Sequence, residues 1–425
     1  MNIKNFDPYD FSKREIAGVP VYYKNLPWAP CIHIRVVFDT CSFDDPIGKE
    51  GLSHFLEHMI FDGSPTLPNK KAITEWSKLH ALDSWNAWTG FDCTCYWLKC
   101  LPEEYTKVLT GMKDMIFNSF CRTEDIEHER KVITQEVWNR LQNEKHLKYI
   151  KNTVDNLYHG HNHARFNTAV GWPDTIAKIS EDDIKSWHKS NYGIGNFFIL
   201  LAGAVEEKHV DGLIDFLEGL PKVNKTIRNV ESLGKPKQKR FVSTADEVGE
   251  VKEQVEISIV RASENRPQSE DEIINLSGKL LRDLFFERLR IEHSLCYGVD
   301  VGMWKMKTFF QMSINVKTEE KNIELVEKEF INIINEIVEG KYIEKFNLVK
   351  KMYIDQLKSN EKLSANIADG TLREIVIFNG RITTLEGQLT DVEKVTYGDI
   401  VKFVKWASDP GYIYTEIILP SKKTT

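Results

Sequence analysis

Two similar α+β domains are what this sequence predicts, and three observations predict them. At 425 residues the chain is long for one hydrophobic core and suits two of roughly 200 residues each. Runs of alternating β-branched and aromatic residues are interleaved with longer segments of helical periodicity, and the second half repeats the style of the first. Between Pro221 and Arg240 the chain turns polar: Lys222, Lys225, Arg228, Lys235, Lys237, Lys239 and Arg240 face a single acid, Glu231. Punctuated by Pro221, Gly234 and Pro236, this stretch reads as an exposed linker between a first domain over 1–220 and a second over 241–425.

Taken in order, 15–23 and 31–38 read as two strands, and Asp44-Asp45-Pro46-Ile47-Gly48 as the turn into a helix over 51–61. A second helix is expected over 69–79, then paired strands over 84–89 and 93–98 around Gly90. Helices follow over 103–117 and from Thr123, an expected N-cap whose neighbours Glu124 and Asp125 suit the positive helix end. The acids 181–183 read likewise as a helix start; 196–204 is a buried strand and 207–217 a helix. In the second half, 254–260, 295–299, 309–316 and 412–419 read as strands. Helices are expected over 271–290, 320–338, 342–360 and 396–407.

Hydrophobic content of 41%, charged content of 28% and a net charge of −7 are those of a soluble globular protein. They give no reason to expect nucleic acid or an anionic membrane as partner. No apolar run approaches the roughly 20 residues of a membrane span, and the first ten residues lack the order of a signal peptide. Seven cysteines without a regular framework read as reduced thiols of a cytoplasmic protein; Cys93 and Cys95 read as strand packing. His159, His161 and His163 form a loop cluster, with metal binding there the lesser reading.

The chemistry concentrates in His54-Phe55-Leu56-Glu57-His58. A helix turns about 100° per residue, so His54 and His58 stack on one face with Glu57 beside them. Two imidazoles one turn apart are ready ligands for Zn²⁺, and Glu57 is placed as general base toward a water in the open position. The competing reading is an ordinary helix face, but a carboxylate and two histidines inside an apolar run need partners. On the helix from Thr123, Ile126, Ile133, Val137 and Leu141 form the apolar stripe. Glu129 and Glu136, seven residues apart, border it on one face, while Glu127 points away. Glu136 and Glu129 are therefore the candidates for a third ligand; pairing with Arg130, Arg140 or a lysine is the alternative.

With these residues the chain resembles the M16 inverzincin peptidases, which include insulysin, pitrilysin and the mitochondrial processing peptidase. Residues 51–64 resemble that family's zinc helix and its exit, and 129–136 its second zinc-helix segment. The resemblance implies two domains, each a mostly antiparallel sheet flanked by helices. It implies one Zn²⁺ per chain held by His54, His58 and Glu136, with Glu129 a supporting carboxylate of the catalytic apparatus beside Glu57. Residues 84–88 resemble the edge strand on which peptide substrates add as an extra strand, making Asn86 and Ala87 substrate-binding. Trp88 departs from the usual Phe. In the second half 289–297 resembles the family's Arg and Tyr pair, so Arg290 and Tyr297 are expected to bind substrate and steady its carbonyl. Cys296 stands where Gly or Ala is usual. At half the length of insulysin, the chain is expected to be a zinc metalloendopeptidase working as a homodimeric clamshell on peptides, Arg290 and Tyr297 of one protomer completing the other's site. The rival is a non-catalytic or hetero-partnered M16 subunit.

Overall fold

The computed structural model describes residues 6–82, 85–158, 169–228, 232–359 and 363–422. The histidine cluster 159–163 lies outside the described residues. The chain divides into two compact units that interleave in sequence: 1–140, 165–229 and 361–385 form the first, and 141–164, 230–360 and 386–425 the second. Each has one mostly antiparallel sheet with helices, the expected fold class.

The first unit contains strands β1 (Ser12–Ile16), β2 (Val19–Asn25), β3 (Ile32–Phe38), β4 (Asn86–Thr89), β5 (Thr94–Cys100) and β6 (Phe197–Gly203). They pair in the order β1-β2-β6-β3-β5-β4, with only β2 and β6 parallel. The stretch expected as one strand over 15–23 is a hairpin. Ile16 pairs with Val19, and Ala17 and Gly18 form the two-residue turn at φ 49° and 84°, the left-handed pair that matches strand twist. β3 and β6 are buried at every position, because helices cover both faces. On one face Val37, Cys95, Phe198 and Leu200 pack against Ile367, Leu372, Ile375 and Val376 of the helix Ser364–Ile377, and Cys93 joins the same cluster. The Cys93/Cys95 pair is thus packing. On the other face Phe38 stacks on Tyr192 at 4.1 Å and meets Tyr96, Phe117 and Phe197.

The helices that carry the site residues follow in the chain as α1 (Leu52–Ile60), α2 (Lys70–His80), α3 (Tyr105–Phe117) and α4 (Thr123–Leu141), and Phe117 of α3 packs on that aromatic face. Thr123 is the first residue of α4 rather than its cap, and its hydroxyl donates to Glu181. The linker expectation needs correction at Arg228. Its guanidinium clamps Asp44 at 2.8 and 2.7 Å and is only 6% exposed, so the run of lysines ending there is tied to the first unit.

The second unit contains β7 (Arg240–Thr244), β8 (Val255–Glu264), β9 (Cys296–Lys305), β10 (Phe309–Thr318) and β11 (Tyr414–Leu419) in the order β7-β11-β8-β10-β9, with only β7 and β11 parallel. Helix α5 (Glu144–Tyr158) belongs to this unit: Tyr149 donates to Glu416 of β11 at 2.6 Å, and Tyr158 packs edge-on against Phe309. So a division at 220 and 241 does not describe the compact units, which exchange α5 and the helix Ser364–Ile377. Periodicity shows that a helix has an apolar face but not which sheet it covers. The helix expected over 271–290 is α to Phe285 and π from Phe286 to Glu292, a widened turn that recurs at functional sites. Among the described residues no helix is long and apolar enough to cross a membrane.

Candidate metal centre and active site

Local chemistry fixes where α1 begins. Asp45 accepts the backbone N–H groups of Gly51 and Ser53 at 2.7 and 2.9 Å and the Ser53 hydroxyl at 2.6 Å, satisfying donors that the helix start leaves open. Gly51 sits at φ 97°, and a Cβ there would lie 2.6 Å from Ile176 Cδ1 and 2.8 Å from the Val170 carbonyl; only glycine fits. Phe55, Leu56, Met59 and Ile60 are fully buried, which turns His54, Glu57 and His58 toward α4 and β4.

There the side chains converge. Nε2 of His54 and Nε2 of His58 lie 3.6 and 3.7 Å from Glu136 Oε2, too long for hydrogen bonds. These three are the described residues whose ligand atoms group within 4.8 Å of one another. Tetrahedral zinc at its usual bond lengths of 2.0–2.2 Å sets its ligands about 3.4 Å apart. Two imidazole nitrogens and one carboxylate oxygen at these separations therefore fit such an ion. Glu136 Oε1 is steadied by Arg140 Nη2 at 2.9 Å. His58 Nδ1 is bonded to Glu129 Oε2 at 2.8 Å, the contact that fixes a metal-binding imidazole's orientation. Glu129 is 2% exposed, and its other oxygen accepts from Lys70.

Electrostatics follow. Burial, then the neighbouring His58 charge, pulls His54 down to about 3. Burial also acts to lower His58, but Glu129 and Glu136 outweigh it and raise it to about 9. The His58 contact holds Glu136 down at about 2 against its own burial. A cation held by both imidazoles would take the place of the proton that the two carboxylates favour on His58, and Glu136, with its lowered pKa, offers it an ionised carboxylate. Burial raises Glu57, opposed by the Thr89 hydroxyl that donates to its Oε2 at 2.5 Å.

Of the residues singled out from sequence, His54, Glu57, His58, Glu129 and Glu136 are brought into one cluster. Asn86 and Ala87 lie on β4, the edge strand of the first sheet, with Trp88 exposed between Ala87 and Thr89. Arg290 and Tyr297 come together in the second unit: the guanidinium lies 5.1 Å from the Tyr297 ring and donates to the Cys296 carbonyl at 3.2 Å. Tyr297 is 87% exposed at the start of the edge strand β9. Arg140, offered from sequence as a carboxylate partner, does pair with Glu136; sequence reasoning missed Thr89 and did not single out Lys70 as the lysine that pairs with Glu129. For Lys70 a signal existed, since a cation in the first turn of a helix opposes the helix dipole.

Residues 21–165 match a family model described as insulinase (peptidase family M16), and 178–350 one described as peptidase M16 inactive domain. The first span contains His54, Glu57, His58, Glu129 and Glu136, and the second Arg290 and Tyr297. An uncharacterized zinc protease of Rickettsia felis is 28% identical over 193 residues, 45% of this chain and 46% of its own. The mitochondrial-processing peptidase subunit beta of Caenorhabditis elegans is 29% identical over 172 residues, 40% of this chain and 36% of its own. The matched stretch thus spans less than half of each relative. Two solved structures share the fold. One is a protease from Helicobacter pylori (TM-score 0.82, 18% identity, 98% of this chain, 100% of that one). The other is the periplasmic protease PqqL from Escherichia coli (TM-score 0.80, 16% identity, 98% of this chain, 48% of that one). With two models of the M16 family placed on consecutive parts of the chain, over 21–165 and 178–350, the chain belongs to the M16 peptidase family.

Proposed function

We propose that this chain is a zinc-dependent endopeptidase acting on peptides or unfolded polypeptides. The observation that carries the proposal is the convergence of His54, His58 and Glu136 with a buried Glu57 on the same helix. His54, His58 and Glu136 would hold one zinc ion, and zinc in such a site supplies a Lewis acid that brings the pKa of water toward about 7. Glu57 accepts a proton from the attacking water and returns it to the leaving amine, with Thr89 fixing the orientation of its carboxylate. The outer edge of β4 supports an extended peptide adding as a further strand, its main chain pairing with Asn86 and Ala87. Seven buried thiols support a cytoplasmic location. The test is cleavage of a mixed peptide library read by mass spectrometry, with and without a chelator. Cleavage abolished by the chelator and restored by Zn²⁺ is expected; cleavage indifferent to chelation, or none at all from zinc-loaded protein, rejects the proposal.

Arg290 and Tyr297 enter as donors that bind the substrate and steady its carbonyl oxygen, supplied in a homodimer by the other protomer. Mixing Glu57→Gln with Arg290→Ala protein is expected to restore activity that neither has alone, through dimers pairing an intact zinc site with an intact Arg/Tyr pair. No gain on mixing, with subunit exchange verified, overturns the trans arrangement. The second reading, a non-catalytic or hetero-partnered subunit, is favoured by one observation: the model matching 178–350 is described as an inactive domain. Zinc-loaded protein without activity on any peptide would favour it.

A further inference from the structure

Lys70 is out of place by local rules. It opens α2, whose N-terminus is already capped by Asn69 accepting the Ala72 N–H at 3.0 Å, and a cation there opposes the helix dipole. What compensates it are two carboxylates from other elements. Lys70 Nζ donates to Glu129 Oε1 on α4 and lies 3.0 Å from Asp62 Oδ1, just past the end of α1. Both acids are buried, at 2% and 6% exposure, while Lys70 is half exposed. Glu129 consequently has no idle oxygen: Oε2 takes His58 Nδ1 at 2.8 Å and Oε1 takes Lys70. His128 lies 4.0 Å from Oε1 on the exposed side, beyond hydrogen-bond reach.

From this geometry we propose that Lys70 is a positioning residue for the metal centre. Its ion pair fixes the Glu129 carboxylate against His58 Nδ1, and so holds His58 Nε2 aimed at the metal. The inference rests on the zinc reading above and extends it one shell outward. Without Lys70, Oε1 would be buried with no donor, and the carboxylate would gain by turning toward solvent or toward His128. Either movement releases His58, and partners behind a ligand are worth about 10–100-fold in metal affinity. A purely structural ion pair tying α2 to α4 would instead alter stability and leave the affinity of the folded protein unchanged.

Zinc affinity of the full chain, measured by competition with a chromophoric chelator and without any peptide, separates the two. Lys70→Met is expected to weaken zinc by about tenfold or more, and Lys70→Arg, which keeps the charge, to stay within about threefold of wild type. Because Lys70 acts through Glu129, the Lys70→Met/Glu129→Gln double variant should bind no more weakly than Glu129→Gln alone. Wild-type affinity in Lys70→Met, or losses that add in the double variant, would overturn the proposal. Lys70→Gln carries the same test if circular dichroism shows Lys70→Met to be unfolded. A wild-type chain that fails to hold zinc brings down the metal reading itself, a result distinct from equal binding by wild type and variant.

Discussion

Glu57→Gln is expected to leave zinc bound and to lower kcat for peptide cleavage by about 10²–10⁴-fold or more, the contribution of a positioned general base. The substitution is nearly isosteric. The amide oxygen can still accept the Thr89 hydroxyl that now donates at 2.5 Å, so the side chain keeps its place at 9% exposure. Lost is the capacity to take a proton. Glu57 is not among the three residues whose ligand atoms converge, so zinc stoichiometry should remain at the wild-type value. Steady-state kinetics alongside metal analysis reads both quantities, and KM should move far less than kcat because no substrate contact is removed. An active, zinc-loaded Glu57→Gln protein would mean that another group serves as base. A zinc-free one would mean that Glu57 supports the metal.

How much of this was legible in the sequence differs from element to element. The α4 helix was readable down to its faces: Ile126, Ile133 and Val137 are buried, and Glu127 is exposed in a pair with Arg130. The reason is that one helix's periodicity fixes which residues share a side. For the same reason His54, His58, Glu129 and Glu136 could be placed together once two helices were assumed to face each other. What periodicity does not carry is the identity of the facing surface. Arg228 looked like one more linker cation, yet it is buried on Asp44. Helices α5 and Ser364–Ile377 cover sheets far from them in sequence. The left-handed Ala17-Gly18 turn was hidden because Ala17 gives no sign of φ 49°; alanine rarely adopts it. Lys70 and Thr89 were missed because each acts on a catalytic or ligand carboxylate through the folded arrangement.

Glu136→Gln is the counterpart experiment, expected to cost zinc rather than chemistry. Among the described residues, Glu136 Oε2 is the anionic atom that faces both Nε2 groups, at 3.6 and 3.7 Å. The neutral amide that replaces it supplies neither the charge nor, if it turns its nitrogen inward, a ligand atom at all. The loss of affinity should therefore exceed the roughly 10–100-fold typical of an outer-shell change. Linkage makes it visible in unfolding. Zinc at a thousandfold excess over its Kd adds about 4 kcal/mol to the folded state, and in a unit this size each kcal/mol shifts Tm by about 2–4 °C. A zinc-dependent rise of about 8–16 °C in wild type should nearly vanish in Glu136→Gln. Arg140→Ala, which removes only the 2.9 Å support to Oε1, should keep most of it. The result also decides between the two carboxylates that the helical face leaves open. Glu129 already spends Oε2 on His58 and Oε1 on Lys70, so it could bind a metal only by giving up one of those partners. If Glu136→Gln keeps its zinc shift, Glu129 has made that exchange and the assignment of the two residues must be reversed.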